Sequence, residues 1–123
     1  MNKDAAFLNH VREETKFILK TCEGLEREDL MRNQLLQRAV LRRLEVIGEA
    51  VKNISEELKQ RHPELEWKKL TGLPDKLIHH YFGVDWVIVW DVITTRIPSL
   101  HEQIEQLVEE EKKEKNRRPL DDC

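Results

Sequence analysis

The stretch VLRRLEVIGEAVKNISEEL, residues 40–58, has an apolar residue at every third or fourth position. This spacing is typical of the buried face of an amphipathic helix. It predicts one long helix over residues 33–60, which the sequence RHPE at 61–64 brings to an end. The apolar residues of the face are Val40, Leu44, Ile47, Val51, Ile54 and Leu58.

The residues before this stretch repeat the pattern. Residues 8–25 predict a first helix, with Asn2 or Asp4 as its N-cap and Gly24 as its stop. EREDLMR, residues 26–32, predicts a short helical turn between the two long helices.

Three further helices are predicted after the central one. LEWKKLTG, residues 65–72, indicates a short helix, and TGLPDKLIHHY, residues 71–81, indicates a longer one of about three turns. A last helix begins after Asp85, its predicted N-cap, and is expected to kink at Pro98. Its inward face consists of Trp86, Val89 or Trp90, Ile93, Ile97, Leu100, Ile104 and Leu107.

The pattern as a whole predicts an all-α protein, an antiparallel bundle of four main helices with additional short helices. Alternation typical of a strand of useful length does not occur. Residues 1–108 form the predicted helical domain. Residues 109–123 lack an apolar period, and we expect a charged tail that is frayed or disordered.

Composition narrows the class of protein. The chain has 123 residues, enough for one modest core, and a formal net charge of −3. That charge argues against extended non-specific binding to nucleic acid, although a short RNA contact at a local basic patch is compatible with it. Cys22 and Cys123 lack zinc-ligand spacing, which favours reduced thiols in the cytoplasm. Neither a signal peptide nor an 18-residue apolar run is recognisable, so no membrane association is expected.

The segment GLPDKLIHHYFGVDW, residues 72–86, carries the residues best suited to chemistry. If residues 71–81 are helical, Leu73, Leu77 and Tyr81 share the core-facing stripe, and His79 points away from it. Tyr81 is then either a packed ring with its hydroxyl at the rim or a functional phenol. His79 is either a solvated side chain or a catalytic one.

The start of the same segment fits a helix N-terminus. With Thr71 as the cap, Pro74 falls in the first turn, where its missing N–H costs nothing. Asp75 is favourable there for the helix dipole. It also precedes His79 by four residues, a spacing at which a carboxylate can pair with an imidazole on a helix.

A histidine that titrates near neutral pH meets the needs of RNA cleavage without a metal. It can accept the proton of a ribose 2′-hydroxyl or donate one to the leaving 5′-oxygen, while a cation stabilises the charge on the phosphate. No metal site is predicted, because His79 and His80 diverge on a helix and no carboxylate–histidine set has ligand spacing. We predict no cofactor, since a glycine-rich phosphate loop is also missing from the sequence.

Three segments together resemble the HepT-like branch of the HEPN superfamily: RAVLRRLEVIGEA at 38–50, HPELEWKKLTGL at 62–73 and KLIHHYFGVDWVIVWDVI at 76–93. The resemblance covers roughly residues 4–108. It implies a small helical homodimer that acts as a ribonuclease toxin. It also implies a cognate antitoxin, a nucleotidyltransferase of the MNT type encoded beside the toxin.

The motif of the family is an arginine, four residues, a histidine, any residue and a tyrosine. The resemblance places His79 at the proton-transfer position, and Tyr81 at the hydroxyl that the antitoxin modifies with AMP, with His80 between them. The arginine position falls on Pro74, which has neither charge nor donor. An alternative follows: a catalytically impaired HEPN module that dimerises and binds a nucleotidyltransferase partner, nucleotide or RNA.

Nearby cations are candidates for the missing arginine. Lys76 precedes His79 by three residues, and Arg38 and Arg42 share one face of the central helix. The simpler interpretation of Arg42 is an ion pair with Glu45 or Glu49.

The last helix also bears on dimerisation. Trp86, Ile88 and Trp90 lie on more than one of its faces, which is more apolar surface than a thin bundle buries by itself. This supports the homodimer.

Overall fold

The computed structural model describes residues 3–79 and 83–116. Within these ranges the chain is almost entirely helical, which confirms the all-α prediction; the only strands there are two residues long. The elements in chain order are α1 (Asp4–Thr21), α2 (Arg27–Arg32), α3 (Gln34–Lys52), α4 (Glu56–Arg61), α5 (Trp67–Thr71), α6 (Leu73–Leu77), β1 (Ile78–His79), β2 (Gly83–Val84), α7 (Trp86–Asp91), a π-helical segment (Val92–Arg96) and α8 (Ile97–Asn116).

The core lies where α1 packs between α3 and α8. Each of these helices buries the apolar face that its sequence predicts, and α2 and α5 appear where short helices were expected. The turn after α1 passes through Gly24, whose φ of 75° is the left-handed conformation that suits a glycine stop. The fully buried side chains that fill the centre include Val11, Ile18, Val40, Leu44, Ile47, Val51, Ile104 and Leu107.

The predicted helix over residues 33–60 is in fact two helices. It breaks after Lys52, and Ser55 starts α4 as an N-cap, with its hydroxyl accepting from the N–H of Leu58 at 3.2 Å. Asp4 fixes this break, because its carboxylate accepts from both the N–H and the hydroxyl of Ser55, at 2.9 and 2.6 Å. Asp4 is the first residue of α1, and Lys3 is at the N-cap position of that helix. The predicted role of Asp4 as the N-cap of α1 is therefore wrong. Asn2 lies outside the described residues.

The last helix begins as predicted but contains a wide turn. Asp85 caps α7 by accepting from the N–H of Ile88 at 3.2 Å. The π-helical segment follows, and the N–H of Ile97 donates back five residues to the carbonyl of Val92. Pro98, where we expected a kink, is the second residue of α8, directly after this segment. Its missing N–H falls where the helix changes hydrogen-bond register.

The first part of the predicted tail, residues 109–116, is helical. α8 continues to Asn116, so the expectation of a frayed chain from residue 109 is wrong for residues 109–116. The reason is a tertiary contact: Glu111 accepts from Arg61 Nη2 and lies against Nε2 of His62, both at 2.8 Å. Residues 117–123, including Cys123, lie outside the described residues. The division of the chain at residue 108 stays a prediction.

Candidate functional site

The motif histidine lies in a strand, and the helix predicted over residues 71–81 is wrong at Ile78 and His79. His79 is the second residue of β1 and pairs with Gly83 of β2 in an antiparallel arrangement. The carbonyl of Leu77, which a continuing helix would offer to residue 81, accepts instead from the N–H of Asp85 at 2.9 Å. Gly83 has a φ of 78°, so this end of the hairpin requires a residue that tolerates the left-handed region.

Several consequences follow for the predicted site residues. Leu73 and Leu77 are buried, as the stripe predicted. Asp75 and His79 lie in different elements, so the helical i,i+4 relation predicted between them does not hold. His80 and Tyr81 lie outside the described residues, as does the side chain of His79. Their predicted roles stay predictions.

The start of α6 differs from the predicted cap. Thr71 ends α5, and its hydroxyl donates to the carbonyl of Trp67 at 3.0 Å, so it does not cap α6. Pro74 is the second residue of α6, which confirms its place in a first turn, and Asp75 lies in the same turn. The dipole interpretation of Asp75 is therefore compatible with its position.

Pro74 is packed against α3. A Cβ added to Gly48 would lie 3.1 Å from both Cγ and Cδ of the proline ring. Glycine at position 48 thus allows α6 to approach α3 closely. At position 74, where the resemblance implies an arginine, the chain has an apolar ring that helps to dock α6 on the bundle.

The candidate cations come from α6 and from α3. Lys76 is exposed on α6, two residues before β1. Arg42 pairs with Glu45 at 3.8 Å, as predicted, and lines a groove with Phe7 and His10 of α1. Since Arg42 and Gly48 are six residues apart, they point about 120° away from each other on a helix of 3.6 residues per turn. Arg42 therefore does not share the face that meets α6.

Two further cations are Arg38 and Arg96, and the sequence did not indicate Arg96. Arg38 is exposed ten residues before Gly48, about 15 Å away along the helix axis. Arg96, the last residue of the π-helical segment, is exposed as well. A hydrogen bond from Lys69 is the main cause of the lowered pKa of Glu66, and the charges of Arg96 and Lys76 lower that pKa further. Arg96 and Lys76 thus lie within electrostatic reach of one carboxylate.

A hydroxyl–imidazole–carboxylate arrangement elsewhere in the chain is structural. Thr15 Oγ1 lies 2.8 Å from Nδ1 of His101, and Nε2 of His101 lies 3.4 Å from Glu105. Thr15 has no exposed surface, and its hydroxyl also contacts the carbonyls of Val11 and Arg12. No substrate can reach that oxygen, so the group serves to hold α1 against α8.

Neither a metal nor a reactive thiol competes with the motif histidine in the part of the chain that the structure describes. No group of three histidine, cysteine or acidic side chains is placed there to hold a metal ion. Cys22 is a free, buried cysteine, and burial raises the pKa of its thiol, which makes it a poor nucleophile. Among the described helices, none is long and apolar enough to cross a membrane.

The helical bundle is the fold that the resemblance implies, and comparison with known proteins agrees. The model of the family described as "Ribonuclease HepT-like" matches residues 11–107. The chain therefore belongs to the HepT-like ribonuclease family.

Individual relatives cover most of the chain. It is 39% identical over 112 residues to "Putative RNase TTE0752" of Caldanaerobacter subterraneus subsp. tengcongensis, which spans 91% of this chain and 100% of that protein. It is 38% identical over 105 residues to "Putative RNase MJ0127" of Methanocaldococcus jannaschii, spanning 85% and 87% of the two chains. "Probable ribonuclease HepT" of Thermococcus cleftensis is 40% identical over 101 residues, spanning 82% and 92%. No solved structure gives a significant match.

Proposed function

We propose that this protein is the toxin of a toxin–antitoxin pair, a metal-independent endoribonuclease of the cytoplasm that uses His79. The observation that carries the proposal is the family match over residues 11–107, which includes the histidine–tyrosine motif. The backbone of His79 is held by its pairing with Gly83, directly after the helix that Pro74 docks on α3. These contacts support the proposal, because they fix the backbone of His79 relative to α6 and α3.

The reaction needs only proton transfer and charge stabilisation. His79 of one subunit accepts the proton of the ribose 2′-hydroxyl, and the 2′-oxygen forms a bond to phosphorus as the bond to the 5′-oxygen breaks. The 5′-oxygen takes a proton from the imidazolium, so the products are a 2′,3′-cyclic phosphate and a 5′-hydroxyl. Lys76 is the nearest candidate on α6 for the charge that an arginine at position 74 would supply, although an ammonium lacks the bidentate geometry of arginine.

Cleavage of RNA in EDTA tests this reaction. The wild-type protein should release fragments that end in a 2′,3′-cyclic phosphate, and His79→Ala should not. Pro74→Arg should raise the rate by about 10²–10³-fold, the usual contribution of one such stabilising group. Pro74→Gln is the matched control, because it also removes the ring but adds no charge. Wild-type protein that is no more active than His79→Ala would refute the enzymatic proposal for the natural chain.

The packing of Pro74 on Gly48 favours one alternative, a catalytically impaired module that keeps the scaffold and its partners. In that case wild-type protein and His79→Ala are equally inactive, while Pro74→Arg gains activity that depends on His79. Activity of the wild-type protein that depends on His79 would exclude this alternative.

The proposed dimer is supported by exposed apolar residues on α7. Val87 and Ile88 are 54% and 39% exposed on one short helix. Ile88→Asp should shift the sedimentation of the protein from dimer towards monomer at micromolar concentration. Leu35→Asp is the control, since Leu35 is an exposed apolar residue at the start of α3, 80% exposed. A wild-type protein that sediments as a monomer would refute the dimer.

The proposed silencing depends on Tyr81 and an MNT-type nucleotidyltransferase. Incubation with that partner and ATP should increase the mass of the protein by one AMP, and Tyr81→Phe should prevent the increase. An adduct that persists in Tyr81→Phe would show that another residue is the acceptor.

A further inference from the structure

A groove lined by lysines lies between α4 and α5. It has a volume of about 870 Å³, and the end of α3 closes one side of it. Pro63, Leu65 and Trp67 line its apolar floor; Pro63 is exposed, whereas Leu65 and Trp67 are largely buried. The indole N–H of Trp67 donates to the carbonyl of His62 at 2.9 Å. The cations on its walls are Lys52, Lys59, Lys68 and Lys69.

The charge of this groove is opposite to that of the whole protein. Four lysines line it against two glutamates, a local charge of +2, whereas the chain carries −3. Both glutamates already have partners: Glu56 lies 3.8 Å from Lys59, and Glu66 lies 2.6 Å from Lys69. The groove is therefore a locally basic region on an acidic protein.

Two of the lysines remain available to a ligand. Lys52 and Lys68 are exposed, and no carboxylate of residues 3–79 or 83–116 lies within ion-pair distance of either ammonium group. They come from the last turns of α3 and α5, so they face the groove from different helices. Two cations above an apolar floor suit a ligand with spaced negative charges and flat apolar groups, which describes single-stranded RNA.

The groove is also connected to the motif segment. Glu66 at its edge is within electrostatic reach of Lys76 and Arg96, and α5 is separated from α6 by Gly72 alone. Basic side chains thus extend from the groove to α6, which leads directly into the strand of His79. A strand of RNA that crosses the groove can continue along these cations to the motif.

We infer that the groove between α4 and α5 binds the phosphodiester backbone of single-stranded RNA, with Lys52 and Lys68 each neutralising a phosphate. The inference rests on the proposed function for the identity of the ligand. It assigns to the enzyme a site that holds substrate at a distance from the reacting bond. Such a site also explains how an acidic protein retains a polyanionic substrate.

Binding of RNA that cannot be cleaved tests the inference independently of catalysis. A 2′-O-methyl RNA lacks the attacking hydroxyl, and its affinity is measured by fluorescence anisotropy over a range of salt concentrations. Log affinity falls as log salt concentration rises, and each phosphate contact on a single strand contributes about 0.7 to the steepness of this fall. The double substitution Lys52→Glu/Lys68→Glu should therefore make the fall shallower by about 1.4. At 0.1 M salt this corresponds to a loss of affinity of about 25-fold.

Lys20→Glu/Lys113→Glu is the matched control. It makes the same change of charge at two exposed lysines in the last turns of α1 and α8, so the effects on helix dipoles are similar. Circular dichroism should give both variants the same helical content as the wild type.

The possible results separate the two proposals. Equal salt slopes for the two double variants would overturn the groove as an RNA site. Binding to polyglutamate that is tighter than binding to RNA of equal length would overturn RNA as the occupant. A groove that binds RNA in a protein that cleaves none would refute the proposed catalysis and leave the groove supported.

Discussion

Replacement of Gly48 by alanine tests how closely α6 is held to α3. The new Cβ would lie 3.1 Å from Cγ and Cδ of Pro74 and 3.5 Å from the carbonyl oxygen of Leu70. Carbon atoms in favourable contact are about 3.5–4.0 Å apart, so the ring must withdraw by about 0.4 Å. Because a proline ring is closed on the backbone, it cannot rotate away, and α6 itself has to move.

The size of the effect follows from two opposing contributions. Alanine is favoured over glycine in a helix by about 1 kcal/mol, whereas overpacking typically costs about 1–3 kcal/mol. We therefore expect Gly48→Ala to lower the free energy of unfolding by about 1 kcal/mol. In a Pro74→Ala background the ring is gone, and the same substitution should raise the free energy of unfolding by about 1 kcal/mol.

Urea unfolding of the four proteins of this cycle, followed by circular dichroism, measures the coupling between the two positions. We expect a coupling energy of about 2 kcal/mol, well above the roughly 0.5 kcal/mol within which independent sites add. Additive effects would mean that Pro74 does not contact Gly48 and would refute the packing described for the motif segment.

Two further predictions concern contacts that join distant parts of the chain. Burial raises the pKa of Glu111, but the hydrogen bonds with Arg61 and His62 outweigh it, so the pKa in the folded protein is below its usual range. Because the pKa is lowered on folding, the ionised Glu111 stabilises the fold at pH values above the ordinary glutamate pKa, and this stabilisation is lost as the pH falls. The difference in urea midpoint between wild type and Glu111→Gln should therefore be largest at neutral pH and shrink in acid. A difference that grew in acid would contradict this. Ser55→Ala removes the side-chain N-cap of α4 and the hydrogen bond from the hydroxyl to Asp4, so the free energy of unfolding should fall by about 1–2 kcal/mol, with Ser55→Thr as the control. An unchanged value would show that the hydroxyl does not stabilise the break between α3 and α4, since the variant keeps the bond from the Ser55 N–H to Asp4.

Helix faces could be predicted from the sequence because their signal is local. Val40, Leu44 and Ile47 repeat with the period of a helix, and all three are fully buried. The cap at Asp85 was predicted for the same reason, since a cap bonds within its own first turn.

The errors occurred where a distant residue decides the local structure. The apolar period runs across the break between α3 and α4, because Ile54 and Leu58 are both buried. A local sign of the break is Ser55, the N-cap of α4, but the period outweighed it in the prediction. The carboxylate of Asp4, about fifty residues earlier in the chain, also marks this break. The continuation of α8 beyond residue 108 depends in the same way on Arg61 and His62, which are invisible to the period of that helix.

The candidate site shows the same division. The motif residues could be named from their order and spacing, but their geometry could not. Leu73 and Leu77 are spaced as in a helix that continues, whereas the bond from Asp85 to Leu77 ends that helix. The groove between α4 and α5 could not be predicted, because its lysines come from three helices and have no common period.

The π-helical segment also sets the rotation of everything that follows it. Val89, Ile93 and Ile97 are four residues apart, and each such step overshoots a turn of 3.6 residues by about 40°. The wider turn at Val92–Arg96 absorbs the overshoot, so that all three side chains point into the core. A π-helical turn holds one residue more than an α-helical turn, so deletion of a single residue there would restore a regular α-helix and leave Glu111 facing its partners. Homologues that lack one residue within these five positions should therefore keep the same face of α8 against the core.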